Sequence, residues 1–291
     1  MKNSISPGSS AFFKAVFAWV LLGMIGTSSL RAQNTPLNDS NFFTARDLWF
    51  SDQAAAIATY GHIKDWNVTG VTNMANAFKN KTTFDENITG WDVSHVTNMH
   101  GMFYNSAFNQ PIGDWNVSSV TNMNSIFWGN VAFNADISKW DISSVTDPRH
   151  MFRSATSFNQ NIGNWNTRNF TDMEYMFHLA TSFNQDLSDW NTSSVTKMSQ
   201  MFHQANALSN AHKGLIHSSF SSNSIANWPY SSWSAHVPAP ASLTNANFQT
   251  AVDLWCTDKA AAFSTHGHIK DWNVTGVTDM SNAFKDKITF D

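Results

Sequence analysis

The stretch Trp-Asn-Val-Ser-Ser-Val-Thr-Asn-Met-Asn-Ser-Ile-Phe, residues 115–127, sets the reading of the whole chain because it recurs. Tryptophans stand at Trp66, Trp91, Trp115, Trp140, Trp165 and Trp190, 25 residues apart except for one interval of 24. Counted from each Trp, an aliphatic residue lies three positions before it: Ile63, Ile88, Ile112, Ile137, Ile162 and Leu187. Five positions after it come Val71, Val96, Val120, Val145, Phe170 and Val195, each followed by Thr. Twelve after it is always Phe, from Phe78 to Phe202, and a second Phe recurs at Phe84, Phe108, Phe133, Phe158 and Phe183. Eight after it is Met in every unit except that of Pro148, where a kink is expected. A unit this short cannot bury its own apolar side, whereas stacked copies can.

Within a unit, Ile-x-x-Trp-x-Val reads as a short strand with alternating inward residues. Val-Thr-x-Met-x-x-Met-Phe reads as a helical turn with Thr as N-cap and apolar spacings of three and four. The expected fold class is therefore an α/β repeat solenoid, leucine-rich-repeat-like, with short parallel strands alternating with helical turns and about 25 residues per rung.

Trp-Asn/Asp-Val-Ser-x-Val-Thr-x-Met-x-x-Met-Phe followed by Phe-Asn-Gln resembles the BspA-like leucine-rich repeat surface proteins, also catalogued as DUF285, over about residues 61–208 and 267–291. The resemblance implies a surface protein of adhesin type. It carries no catalytic residue, and the chain is read as not an enzyme.

A longer period is superimposed. Residues 37–85 and 243–291 align without a gap and share 34 of 49 residues. The expected organisation is a signal peptide at 1–32, a helical N-terminal cap at 37–60 and six rungs at 61–208. A C-terminal cap and linker follow at 209–242, and a second module begins at 243–291. Within the first cap, Phe42, Ala45, Leu48 and Trp49 share one helical face, and Gly61 suits a helix C-terminus. The second module stops within its first rung, so a truncated or fragmentary chain is expected.

Lys2 and Lys14 precede the apolar run Ala15–Ile25, and Leu30-Arg31-Ala32 offers a cleavage site before Gln33. Eleven apolar residues are too few to cross a bilayer of ~30 Å. The reading is a secreted or cell-surface protein with no membrane span after signal cleavage. The formal net charge is −4, and loss of residues 1–32, with three basic side chains and no acid, makes it more negative still. That disfavours nucleic acid as partner. Cys256 is the one cysteine, so no disulfide within the chain is possible.

No phosphate loop, zincin motif or nucleophile elbow is present. His62 and His268 are equivalent, and each is read as closing a cap through a hydrogen bond rather than as a metal ligand. The position after each Trp, Asn67, Asp92, Asn116, Asp141, Asn166 and Asn191, is a candidate ligand-binding ladder on a sheet face, for sugar hydroxyls or calcium. The plainer reading is that these side chains hold neighbouring strands and turns in register. Asn109, Asn134, Asn159 and Asn184 are read as turn formers. No metal site is assigned, and no cofactor is expected, calcium being possible without a specific motif. Aromatics outside the ladders, Tyr104, Trp128, Tyr175, Trp228 and Tyr230, are candidate contact residues. The partner expected is an extracellular protein or a carbohydrate, and the competing function is a structural spacer that presents another domain.

Overall fold

A computed structural model describes residues 35–221 and 228–287. The proposed signal peptide and residues 288–291 lie outside the described residues. Helices α1 (Phe42–Ser51) and α2 (Gln53–Tyr60) precede the repeats, and α3 (Asn210–Phe220) follows them. The copy that begins at Leu243 contributes α4 (Phe248–Thr257) and α5 (Lys259–His266). Strands β1 (Ser242–Thr244) and β2 (Asn273–Gly276) pair in parallel in that copy.

The expected α/β leucine-rich-repeat-like solenoid is overturned. Among the described residues the six units contain no α-helix, and the one sheet is the two-stranded β1–β2 pair, outside the units. The backbone gives the reason. In the segment read as helical, Ala77, Lys79 and Lys81 donate their N–H groups three residues back, to Met74, Asn76 and Phe78. The alternate N–H groups of Asn76, Phe78 and Asn80 leave the unit altogether and reach the carbonyls of His100, Met102 and Tyr104 in the next. An α-helix would direct every one of these groups to residue i−4. Two residues per unit also have positive φ, four apart: Asn76 and Asn80, Gly101 and Asn105, Ser125 and Gly129, and so on to Gln200 and Gln204. Left-handed residues at this frequency exclude a right-handed helix. The expected strand is likewise a chain of turns, with Val71 N–H bonded to Val68 O and Val96 N–H to Val93 O. Parallel pairing in the units is confined to single bridges, such as Asn73 with Asn98 and Asn98 with Asn122.

The spacing of apolar residues was nonetheless set by burial. Phe78, Phe103, Phe127, Phe152, Phe177 and Phe202 follow one another at centroid distances of 5.5–5.8 Å. Each of the first five also stacks on the second Phe of its own unit at about 4 Å. The six tryptophans are buried. Trp91, Trp140, Trp165 and Trp190 donate their indole N–H to carbonyls of Ile63, Ile112, Ile137 and Ile162 in the preceding unit. Pro148 produces no break in this register. Its cost is a lost bond: Met74, Met99 and Met173 donate N–H groups to the following unit, and proline has none to give.

At one end, α1 lays Phe42 and Trp49 against Trp91 and Trp66. Asp39 accepts from the Thr72 hydroxyl and from the backbone N–H groups of Thr72 and Asn73. Asp52 caps α2, and Gly61, with φ 80°, ends it. At the other end, Tyr230 and Trp233 pack on Phe202, and the Phe202 N–H donates to Tyr230 Oη at 2.7 Å. The start of the second copy sits against this end. Lys259 bonds Ser188 and Asp189 and pairs with Asp186, and a Cβ on Gly214 would lie 2.5 Å from Phe263.

Candidate functional site

The six candidate ladder residues are all exposed, and each serves its own turn. The side-chain oxygens of Asn67, Asp92, Asn116, Asp141, Asn166 and Asn191 accept the N–H two residues on, from Thr69, Ser94, Ser118, Ser143, Arg168 and Ser193. Bonds from Ser94 hold the Asp92 carboxyl below its ordinary range, and those from Ser143 do the same at Asp141. These are Asx turns, local to one unit.

Of the two asparagine series, it is the one read only as a turn former that bonds one unit to the next. Asn134 N–H donates to Asn109 Oδ1, Asn159 N–H to Asn134 Oδ1, Asn184 N–H to Asn159 Oδ1 and Ser209 N–H to Asn184 Oδ1, all at 2.7–2.9 Å. The following Gln adds a second clasp, with Gln160 Nε2 on Asn134 O and Gln185 Nε2 on Asn159 O. The two asparagine series thus exchange the roles their sequence context suggests. Both recur with the same period, and only the direction of the carbonyl tells them apart.

His62 and His268 each accept the N–H two residues on, from Lys64 and Lys270, and lie against Trp49 and Trp255. Among the described residues no group of three or more His, Cys, Asp or Glu is placed to hold a metal ion.

A different arrangement emerges from the turns. Two positions per unit lie beside each other along one side: the first left-handed residue and the residue three beyond it. In the first, second and last units these positions are filled by Asn76, Lys79, Gly101, Tyr104, Gln200 and His203. In the middle units they form a continuous strip. Tyr104 meets Trp128 edge-on at 4.9 Å, Trp128 stacks on His150 at 4.8 Å, and His150 stacks on Tyr175 at 5.1 Å. His178 continues it, 5.4 Å from Tyr175 and 5.1 Å from His203. Lys79 lies over the Tyr104 ring. The Arg153 guanidinium lies over both Trp128, at 4.5 Å, and Tyr175, at 5.0 Å.

This strip has an energetic cost. His150 and Tyr175 have φ of 58°. The left-handed conformation costs a residue with a Cβ about 1–2 kcal/mol, and Gly101 shows that the fold accepts glycine at the same position. Burial, then the charges of Arg153 and Arg149, lower the pKa of His150 from 6.5. Burial, Arg153 and His203 do the same for His178. Both rings are therefore neutral at pH 7.

Three of the five candidate aromatics, Tyr104, Trp128 and Tyr175, meet in the strip. The other two do not. Trp228 donates to His217 Nδ1, and burial pushes the Tyr230 phenol up to about 12. Those two close the last unit. The sequence reading places Arg153 in one solvent-facing column with Tyr104 and Trp128, but it missed His150. His150 stands in the column of Asn76, Gly101, Ser125, Tyr175 and Gln200, three positions before the one that runs Lys79, Tyr104, Trp128, Arg153, His178 and His203.

The geometry defines a tandem-repeat protein with an aromatic, cationic lateral face. The chain belongs to the family described as "Mycoplasma protein of unknown function, DUF285", which matches residues 48–155, 132–228 and 244–291. No curated protein and no solved structure matches the chain.

Proposed function

We propose that this chain is a non-catalytic binding scaffold, secreted or displayed at the cell surface, and that it holds its ligand on the strip from Tyr104 to Tyr175. The carrying observation is the contrast between columns. The buried Trp column and the buried Phe column from Phe78 to Phe202 repeat one residue type, while the strip gathers Tyr, Trp, Arg and His, the first three being the types that dominate binding hot spots. The signal-peptide pattern and the resemblance to BspA-like leucine-rich repeat surface proteins support the same reading. The ligand is an extracellular protein or glycan. No helix among the described residues is long and apolar enough to cross a membrane.

Screening the purified chain against arrays of matrix proteins and glycans tests this. A ligand should be found, and Trp128→Ala with Tyr175→Ala should abolish its binding while the melting temperature changes little. Loss of no binding in that double variant, or no ligand at all, refutes the proposal. The contact of Lys259 with Asp186 and Asp189 favours a second reading, a rigid spacer built from docked copies. A spacer would tolerate every substitution in the strip.

A further inference from the structure

The end of the first stack and the start of the second copy depart from their repeats where they meet. Counted from each Trp, the residues four and one before it are both acids in the last unit, Asp186 and Asp189. No earlier unit has acids at both positions, which hold His62 and Asp65, Asn87 and Gly90, Pro111 and Asp114, Asp136 and Lys139, and Asn161 and Asn164. Lys259 Nζ lies 2.8 Å from Asp189 Oδ1, 2.9 Å from Ser188 Oγ and 3.3 Å from Asp186 Oδ2. Three oxygens thus face the three donors of one ammonium. Among the described residues no other cation is within ion-pair distance of either acid.

The cap of the second copy differs from that of the first in the matching way. Lys259 and Phe263, four apart on α5 and so on one helical face, stand where α2 has Gln53 and Ile57. Ile57 is 37% exposed, whereas Phe263 is fully buried. Phe263 shares an apolar cluster with Leu215 of α3, Leu243 and Trp255. Gly214, within α3, leaves room for its ring, since a Cβ there would stand 2.5 Å from Phe263 Cε1 as well as against the His236 carbonyl. Lys270 adds a bond to the Ser218 carbonyl, but the first copy has Lys64 at that place, so this contact does not tell the two caps apart.

We infer that the end of the first stack, formed by Asp186, Asp189 and the Gly214 face of α3, is a docking site for the cap of a following copy of this module, and that Lys259 and Phe263 select that cap over one bearing Gln53 and Ile57. The docking stands independently of any ligand on the strip. The test is hydrogen exchange, read by mass spectrometry, on the purified full chain. Lys259→Gln with Phe263→Ile gives the second cap the residues of the first. It should speed exchange of the Lys259–His266 amides by about tenfold or more, while the units from Trp91 to Trp165 keep their protection. Phe263 also packs within its own copy, so a charge swap isolates the contact between copies. Lys259→Glu sets a carboxylate against two others and should open the same amides. Adding Asp189→Lys should restore most of the protection, because Asp189 bonds only Lys259 among the described residues. The inference is overturned if the Lys259→Gln, Phe263→Ile variant exchanges like the wild type, or if Asp189→Lys fails to slow exchange in the Lys259→Glu background.

Discussion

Gly129→Ala separates the turn-built unit from a helical one by the sign of its effect. Gly129 has φ 69°, and a Cβ placed on it would stand 1.9 Å from Asn105 Oδ1 and 3.1 Å from Asn105 Cγ. Alanine in that conformation costs about 1–2 kcal/mol. The Asn105 amide must also turn away, giving up its 3.3 Å bond to Asn80 Oδ1. That bond is exposed and contributes about 0.5 kcal/mol. Against these stands a gain of about 0.4–1 kcal/mol from the stiffer unfolded chain. The balance is a loss of about 0.5–2 kcal/mol. For a chain of this size that lowers the melting temperature by roughly 1–8 °C. In a helical segment the same change would stabilise by about 0.5–1 kcal/mol. Thermal and urea unfolding followed by tryptophan fluorescence reads the difference directly. A variant as stable as the wild type, or more so, would refute the left-handed turn.

The converse change, Gln204→Gly, should stabilise by about 0.5–1 kcal/mol, because Gln204 is exposed at φ 60° and glycine relieves its strain; an unchanged urea midpoint would contradict this. Trp140→Phe should cost about 0.5–1.5 kcal/mol more than Trp115→Phe, since it loses the indole bond to the Ile112 carbonyl, which keeps only the Trp115 backbone N–H, whereas the buried Trp115 Nε1 has no partner to lose. Equal urea midpoints for the two variants would remove the indole ladder from the stability argument. Acid should also act on the strip. The pKa values of His150 and His178 are lowered from 6.5, so the unfolded chain binds more protons than the folded one once the pH falls below about 6.5. Stability is then full above that value and declines as the pH drops towards the folded pKa values. The double variant His150→Gln with His178→Gln should flatten the melting-temperature profile between pH 7 and pH 5, and a profile as steep as the wild type's would exclude these two groups as its cause.

The sequence by itself determined which residues are inside. The period of Trp66 to Trp190 and of Phe78 to Phe202 is a statement about burial, and burial repeats wherever the chain returns to the same place in the stack. It also marked the second copy at Leu243 and the helical faces of Phe42, Ala45 and Trp49. The backbone path between those anchors was decided by tertiary structure. Apolar spacings of three and four fit a helix and a series of three-residue turns equally well. What chose the turns was the neighbouring unit, whose carbonyls at His100, Met102 and Tyr104 accept the N–H groups that a helix would have kept for itself. The same holds for the asparagines, whose bonding partners depend on how far the next copy lies. It holds most of all for the strip, because Trp128, His150, Arg153 and Tyr175 are up to 47 positions apart in the chain and meet only when three units are laid side by side.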